Sequence, residues 1–180
     1  MKAAAGITIK AAIYAAVIGA LGDILTLFAI PIGPNIHINL YVLPAVLVGA
    51  TSGWLLGGIA GAIGALYTIV LWGHPGSIVY GALLGIGTGL LCSKVGLRPL
   101  FSSALTHIVT LPYLFWMLVT WLGLPMPIFY LGMGTMAIQL VVAALITEGI
   151  IVIPALRKRI PAVRVHGLVP GGFLRHPWAE

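Results

Sequence analysis

Asp23, Asn35, His37, Asn39, Trp72, His74, Tyr80, Trp116 and Gln139 are the side chains of this sequence best equipped to hold a small molecule. They supply one carboxylate, three amides, two imidazoles and three aromatic rings. That set suits stacking on, and hydrogen bonding to, a neutral or weakly cationic ring-containing compound. It suits bond making poorly. The only acids that the apolar region could pair are Asp23 and Glu148, and the helix count below puts them in opposite halves of a bilayer, about 10–15 Å apart in depth at the helical rise. Acid–base work on one substrate needs both within about 3 Å of it. His107 has no Cys or Asp nearby for a nucleophilic triad. His37 and His74 lack the carboxylate or thiol that would make them a convincing metal pair. The sequence therefore reads as a binding protein, not an enzyme, with no cofactor and no metal.

The elements that position these residues follow from charge. Residues 24–93 contain no Asp, Glu, Lys or Arg, and the chain is 61% hydrophobic, 7% charged, with a mean hydropathy of +1.15. Charge at a bilayer centre costs several kcal/mol, so long charge-free runs imply lipid-embedded helices. At 180 residues there is room for one domain. The net charge of +6 reads as topology and as attraction to anionic headgroups rather than nucleic-acid binding, because no basic stripe is interleaved with aromatics. Cys92 stands alone and reads as a small apolar helix residue. Lys2 and Lys10 ahead of an apolar run resemble a signal peptide, but the run continues to Ile30 and reads as an uncleaved first helix.

Apolar segments fall at 9–30, 40–56, 58–72, 77–92, 100–122 and 128–156, separated by Gly- or Pro-containing breaks. The break at Gly57-Gly58 is the least marked. Six helices with cytoplasmic termini put all nine Lys and Arg on the cytoplasmic side, as the positive-inside rule asks. Five would put most of them outside. The expectation is an all-α membrane protein of the plasma membrane, with six transmembrane helices in residues 1–159 and a basic cytoplasmic tail in 160–180. The second and third spans are short, so their hairpin falls short of the inner surface. Asp23, Asn35, His37, Asn39, Tyr41, Trp72, His74, Tyr80, Tyr113, Trp116, Thr120 and Tyr130 then lie in the outer half. Trp72, Tyr41, Tyr113 and Tyr130 also fit an interfacial aromatic belt. Three roles are open to Asp23: accepting hydrogen bonds from a loop, pairing with a cationic substrate, or being protonated. Glu148 is expected to face Arg157 or Lys158, and His107 and Gln139 either to floor a pocket or to bond across helices.

Small residues recur every four positions at Gly49, Gly53, Gly57 and Gly61, at Gly81, Gly85 and Gly89, and on the first helix at Ala11, Ala15 and Gly19 beside Ala12, Ala16 and Ala20. Such stripes let helices approach closely in lipid, within the chain or against a partner. With them, the runs Leu43-Pro44-Ala45-Val46-Leu47-Val48-Gly49-Ala50 and Gly57-Gly58-Ile59-Ala60-Gly61-Ala62-Ile63-Gly64 resemble the substrate-binding S components of energy-coupling factor (ECF) transporters, over about residues 8–156. Gly58 stands where that family often has Pro, and Tyr67 and Thr68 where many members carry an Asp. The resemblance implies a subunit that captures a vitamin or similar micronutrient from outside. Docking would occur through Ala11, Ala12, Ala15 and Ala16 onto a transmembrane coupling subunit driven by two cytosolic ATPases. It also implies an outward pocket with Asn35, His37 and Asn39 in its lid or wall, and Trp72 and His74 at its mouth. The absence of a Gly-x-x-x-x-Gly-Lys-Ser/Thr loop agrees with a subunit whose energy comes from elsewhere. The competing expectation is a structural membrane subunit without a pocket.

Overall fold

The computed structural model describes residues 9–33 and 36–153. These residues are mostly helical, and among them four helical stretches are long and apolar enough to cross a membrane: Ile9–Leu27, Gly76–Val95, Pro99–Trp121 and Met126–Val152. The first is α1. The second is α5 (Gly76–Leu90) continued by a π-helical turn, Leu91–Val95. The third is α6 (Pro99–Phe115) continued by a second π-helical stretch, Trp116–Trp121. The last is α7. Between α1 and α5 lie the shorter α2 (Leu43–Ser52), α3 (Trp54–Gly64) and α4 (Thr68–Trp72). Large apolar side chains such as Ile13, Val17, Leu21 and Ile24 of α1 face outward, a surface suited to lipid.

The segments expected at 40–56 and 58–72 divide differently. The break falls at Gly53, not at Gly57-Gly58. Gly53 has a φ of 92°, which only glycine adopts cheaply, and its N–H closes α2 on the Gly49 carbonyl at 3.2 Å. Here α2 reverses into α3. Gly57 lies inside α3 because of what it faces: a Cβ there would sit 2.5 Å from Gly49 Cα and 2.7 Å from the Gly85 carbonyl oxygen. The glycine stripes are therefore internal packing of α2, α3 and α5. The α2–α3 turn packs beside Gly89. Since α5 and its π turn run six residues beyond Gly89, to Val95, the tip stops roughly 9 Å short of that end.

A small sheet also departs from the all-helical expectation. β1 (Ile30–Gly33) pairs antiparallel with β2 (Ile36–Ile38), Ile30 opposite Ile38 and Pro31 opposite His37. Alternating β-branched residues favour the pleat, and Pro31 is tolerated because the ribbon has only two strands. The Gly73, Gly96 and Gly123 breaks stand where the sequence put them, each a left-handed glycine.

Helix α1 runs parallel to α3. Ala11, Ala15, Gly19 and Gly22 are buried on that face, packed with Val48, Leu56 and Ala60 or, at Gly22, against Gly64. Of the four alanines assigned to docking, Ala11 and Ala15 are thus core residues of this chain, and Ala12 and Ala16 remain half-buried at its surface. Two acids fix helix ends. An Asp23 carboxylate oxygen accepts the Tyr67 N–H at 2.8 Å, holding the turn between α3 and α4. Glu148 pairs with Arg98 at 2.5 Å and accepts the Leu100 N–H at 3.2 Å, capping the start of α6. The expected partners Arg157 and Lys158 lie outside the described residues.

Candidate functional site

One end of the bundle holds a cavity of about 300 Å³, the lower end of the range for small-molecule pockets. His37 reaches it from β2, Tyr41 from the turn before α2, and Trp72 from the end of α4. His74 comes from the loop that follows, and Ser77 and Tyr80 from the first turns of α5. The opposite wall is mainly apolar: Leu114, Met117 and Leu118 from α6 and its π-helical continuation, then Ile128, Phe129 and Met136 from α7, with Thr135 and Gln139 as polar members. Among the described residues no Lys, Arg, Asp or Glu lines it.

Aromatic contacts frame the polar wall. Trp72 meets Tyr41 edge-on at 6.0 Å between ring centroids and lies nearly parallel to His74 at 6.4 Å; His74 in turn faces Trp121 at 6.4 Å. The Trp72 Nε1–H donates to His37 Nδ1 at 3.4 Å. The Gly76 backbone N–H donates to His74 Nδ1 at 3.2 Å. That nitrogen must therefore be the unprotonated one, which leaves the proton of neutral His74 on Nε2 as a donor. Burial pushes the His74 imidazole below its ordinary range, favouring the neutral ring. Beneath the cavity, the Tyr80 hydroxyl meets His107 Nδ1 at 2.8 Å, so His107 supports the floor from behind. The Tyr113 hydroxyl donates to the Gly76 carbonyl at 2.9 Å, tying α6 to the start of α5.

Gln139 joins two elements. Its Nε2 donates to the His37 backbone carbonyl at 2.9 Å, while its Oε1 is buried and has no hydrogen-bond partner among the described residues.

Of the residues singled out in the sequence, His37, Trp72, His74, Tyr80 and Gln139 come together in the cavity wall. Asn39 is buried at the root of the hairpin, where its Oδ1 accepts the Tyr41 N–H at 3.3 Å; it orders the wall without lining it. Trp116 faces outward and stacks on Trp121 at 6.0 Å. Asp23 lies away from the cavity, at the α3–α4 turn. Asn35 lies outside the described residues. Sequence reasoning gave no site role to Ser77, Thr135, Met117 and Met136. Ser77 was legible in part, one turn before Tyr80 on the same helical face; the others carry no signal apart from helical spacing. The two acids are each engaged in separate structural bonds at different ends of the bundle.

Comparison with known proteins found no matching family model, no matching curated protein and no matching solved structure.

Proposed function

We propose that this chain is a membrane binding subunit for uptake of a vitamin or similar small micronutrient, working like an ECF S component with separate coupling and ATPase subunits. The observation that carries this reading is the charge-free cavity between the first-loop hairpin and the starts of α5 and α7. Aromatic rings and desolvated hydrogen-bonding groups on one side and aliphatic side chains on the other are the make-up of a small-molecule pocket. A bundle that only joined other subunits would have no use for such a space.

The orientation proposed is six passages with cytoplasmic termini in the plasma membrane, counting the short α2 and the α3–α4 pair as passages. Lys10, Lys94 and Arg98 support it. Among the described residues these are the Lys and Arg side chains, and they sit at the helix ends remote from the cavity. The positive-inside rule turns that end to the cytoplasm and the cavity outward. For docking, Ala12 and Ala16 are the members of the alanine set still presented at the surface.

Native mass spectrometry of the protein in nanodiscs tests the reading. One small molecule per chain, held without ATP and lost in Trp72→Ala, is expected. A chain that carries no small molecule, and binds none across a panel of vitamins, nucleobases and amino acids, would be a structural subunit instead.

A further inference from the structure

We propose that Gln139 selects the ligand, and that the ligand is an uncharged ring compound donating an N–H to Gln139 Oε1. The inference rests on the binding-subunit reading above and deepens it. A carbonyl oxygen can only accept, so the Gln139 group 2.9 Å from the His37 carbonyl must be its –NH2. This assigns Nε2 to the hairpin and leaves Oε1 as the amide atom without a partner among the described residues. Gln139 is 3% exposed and forms part of the cavity wall, yet its Oε1 has no donor among the described residues. Other polar groups of the wall are engaged: Tyr80 with His107, and the Thr135 hydroxyl as donor to the Gly132 carbonyl at 2.8 Å. A desolvated acceptor of this kind gains most from a donor that arrives with its own water already shed.

The rest of the wall narrows the class. Among the described residues no Lys, Arg, Asp or Glu lines the cavity, so a charged ligand would be desolvated there without a counter-charge. His74 offers a donor at Nε2, and Trp72 and His74 offer ring faces. An acceptor, a donor and aromatic faces together complement a ring that carries an –NH–C(=O)– edge. Sites that hydrogen-bond a ligand N–H reject analogues lacking it far more strongly than apolar pockets reject a methyl group, because the site's own group is then left unpaired.

The test uses the full chain in phosphatidylcholine nanodiscs, with calorimetry on 2-pyridone, thymine and 2-quinolone and on their fully N-methylated counterparts, 1-methyl-2-pyridone, 1,3-dimethylthymine and 1-methyl-2-quinolone. Wild type should bind at least one lactam about tenfold or more tighter than its N-methyl form, and Gln139→Leu should bring that ratio to within about twofold. A merely structural role for Gln139 would weaken both members of a pair alike and leave the ratio standing, which overturns the inference. N-methyl forms that bind as tightly as the parents to wild type also overturn it. If a metabolite co-purifies but no probe binds, the lactam class is wrong while the binding-subunit reading stands. If no metabolite co-purifies and neither the probes nor the panel of vitamins, nucleobases and amino acids binds, both fall.

Discussion

The side-chain amide of Gln139 on α7 donates to the backbone carbonyl of His37 on β2 at 2.9 Å, joining residues 102 positions apart. It is a single neutral hydrogen bond between a helix of the bundle and the hairpin that borders the cavity. A bond of this kind contributes about 1 kcal/mol net. Gln139→Ala should therefore raise the exchange rate of the Ile36–Ile38 amides by about fivefold. Amides of α5 should be unchanged. Hydrogen-exchange mass spectrometry reads both, and hairpin protection equal to wild type would mean that α7 does not hold the hairpin.

Asp23 holds the α3–α4 turn through the Tyr67 N–H. Asn keeps an acceptor oxygen at the same place, so Asp23→Asn should be nearly silent. Asp23→Leu leaves a backbone donor unpaired and should cost about 1–3 kcal/mol, seen as a lower melting temperature in detergent. Neither change should alter the preference for neutral over cationic ligands. A tenfold loss of a cationic compound in Asp23→Asn, with the melting temperature intact, would restore the charge-pairing role.

How far the sequence disclosed all this depends on how unique each residue's physical role is. A left-handed glycine between two apolar runs has one reading, and Gly73, Gly96 and Gly123 were legible. Gly53 and Gly57 were not, because in lipid a glycine serves equally to turn a chain or to let two helices touch. Only the identity of the neighbour, Gly49 and Gly85 for Gly57, separates the two uses. The polar wall of the cavity was largely readable, since His37, Trp72, His74, Tyr80 and Gln139 are conspicuous in an apolar chain. Trp116 shared that conspicuousness and yet faces outward, because the π-helical stretch it begins turns Met117 inward instead. The aliphatic wall left no trace: Leu114 and Ile128 look like every other leucine and isoleucine in the bundle.

The α1 surface separates the two alanine rows. Ala15 is fully buried against α3, so Ala15→Trp should fail to pack and lower stability by more than about 3 kcal/mol. Ala12 and Ala16 are half-buried, and a tryptophan at either position has room to lie on the surface. Ala12→Trp and Ala16→Trp should fold and bind ligand normally but lose energised uptake in cells that also express the coupling subunits. Normal uptake in both would remove α1 as the docking face.

His74 gives the site a pH dependence of fixed sign. Its imidazole is held below the ordinary value of 6.5 by burial, so its folded value lies under its unfolded one. Well above pH 6.5 both states hold it neutral, and its contribution to stability is fully present. As pH falls below that value, the unfolded chain takes up the proton first. The contribution then declines and is lost once pH has dropped through the folded value. Protonation would also displace the Gly76 N–H from Nδ1, since both ring nitrogens then donate. Melting temperature and ligand affinity should therefore both drop as pH falls below about 6.5, and His74→Gln should flatten that part of each curve. Melting and calorimetry at matched pH values, wild type against variant, decide it. An acid-induced loss of the same size in His74→Gln would place the titrating group elsewhere.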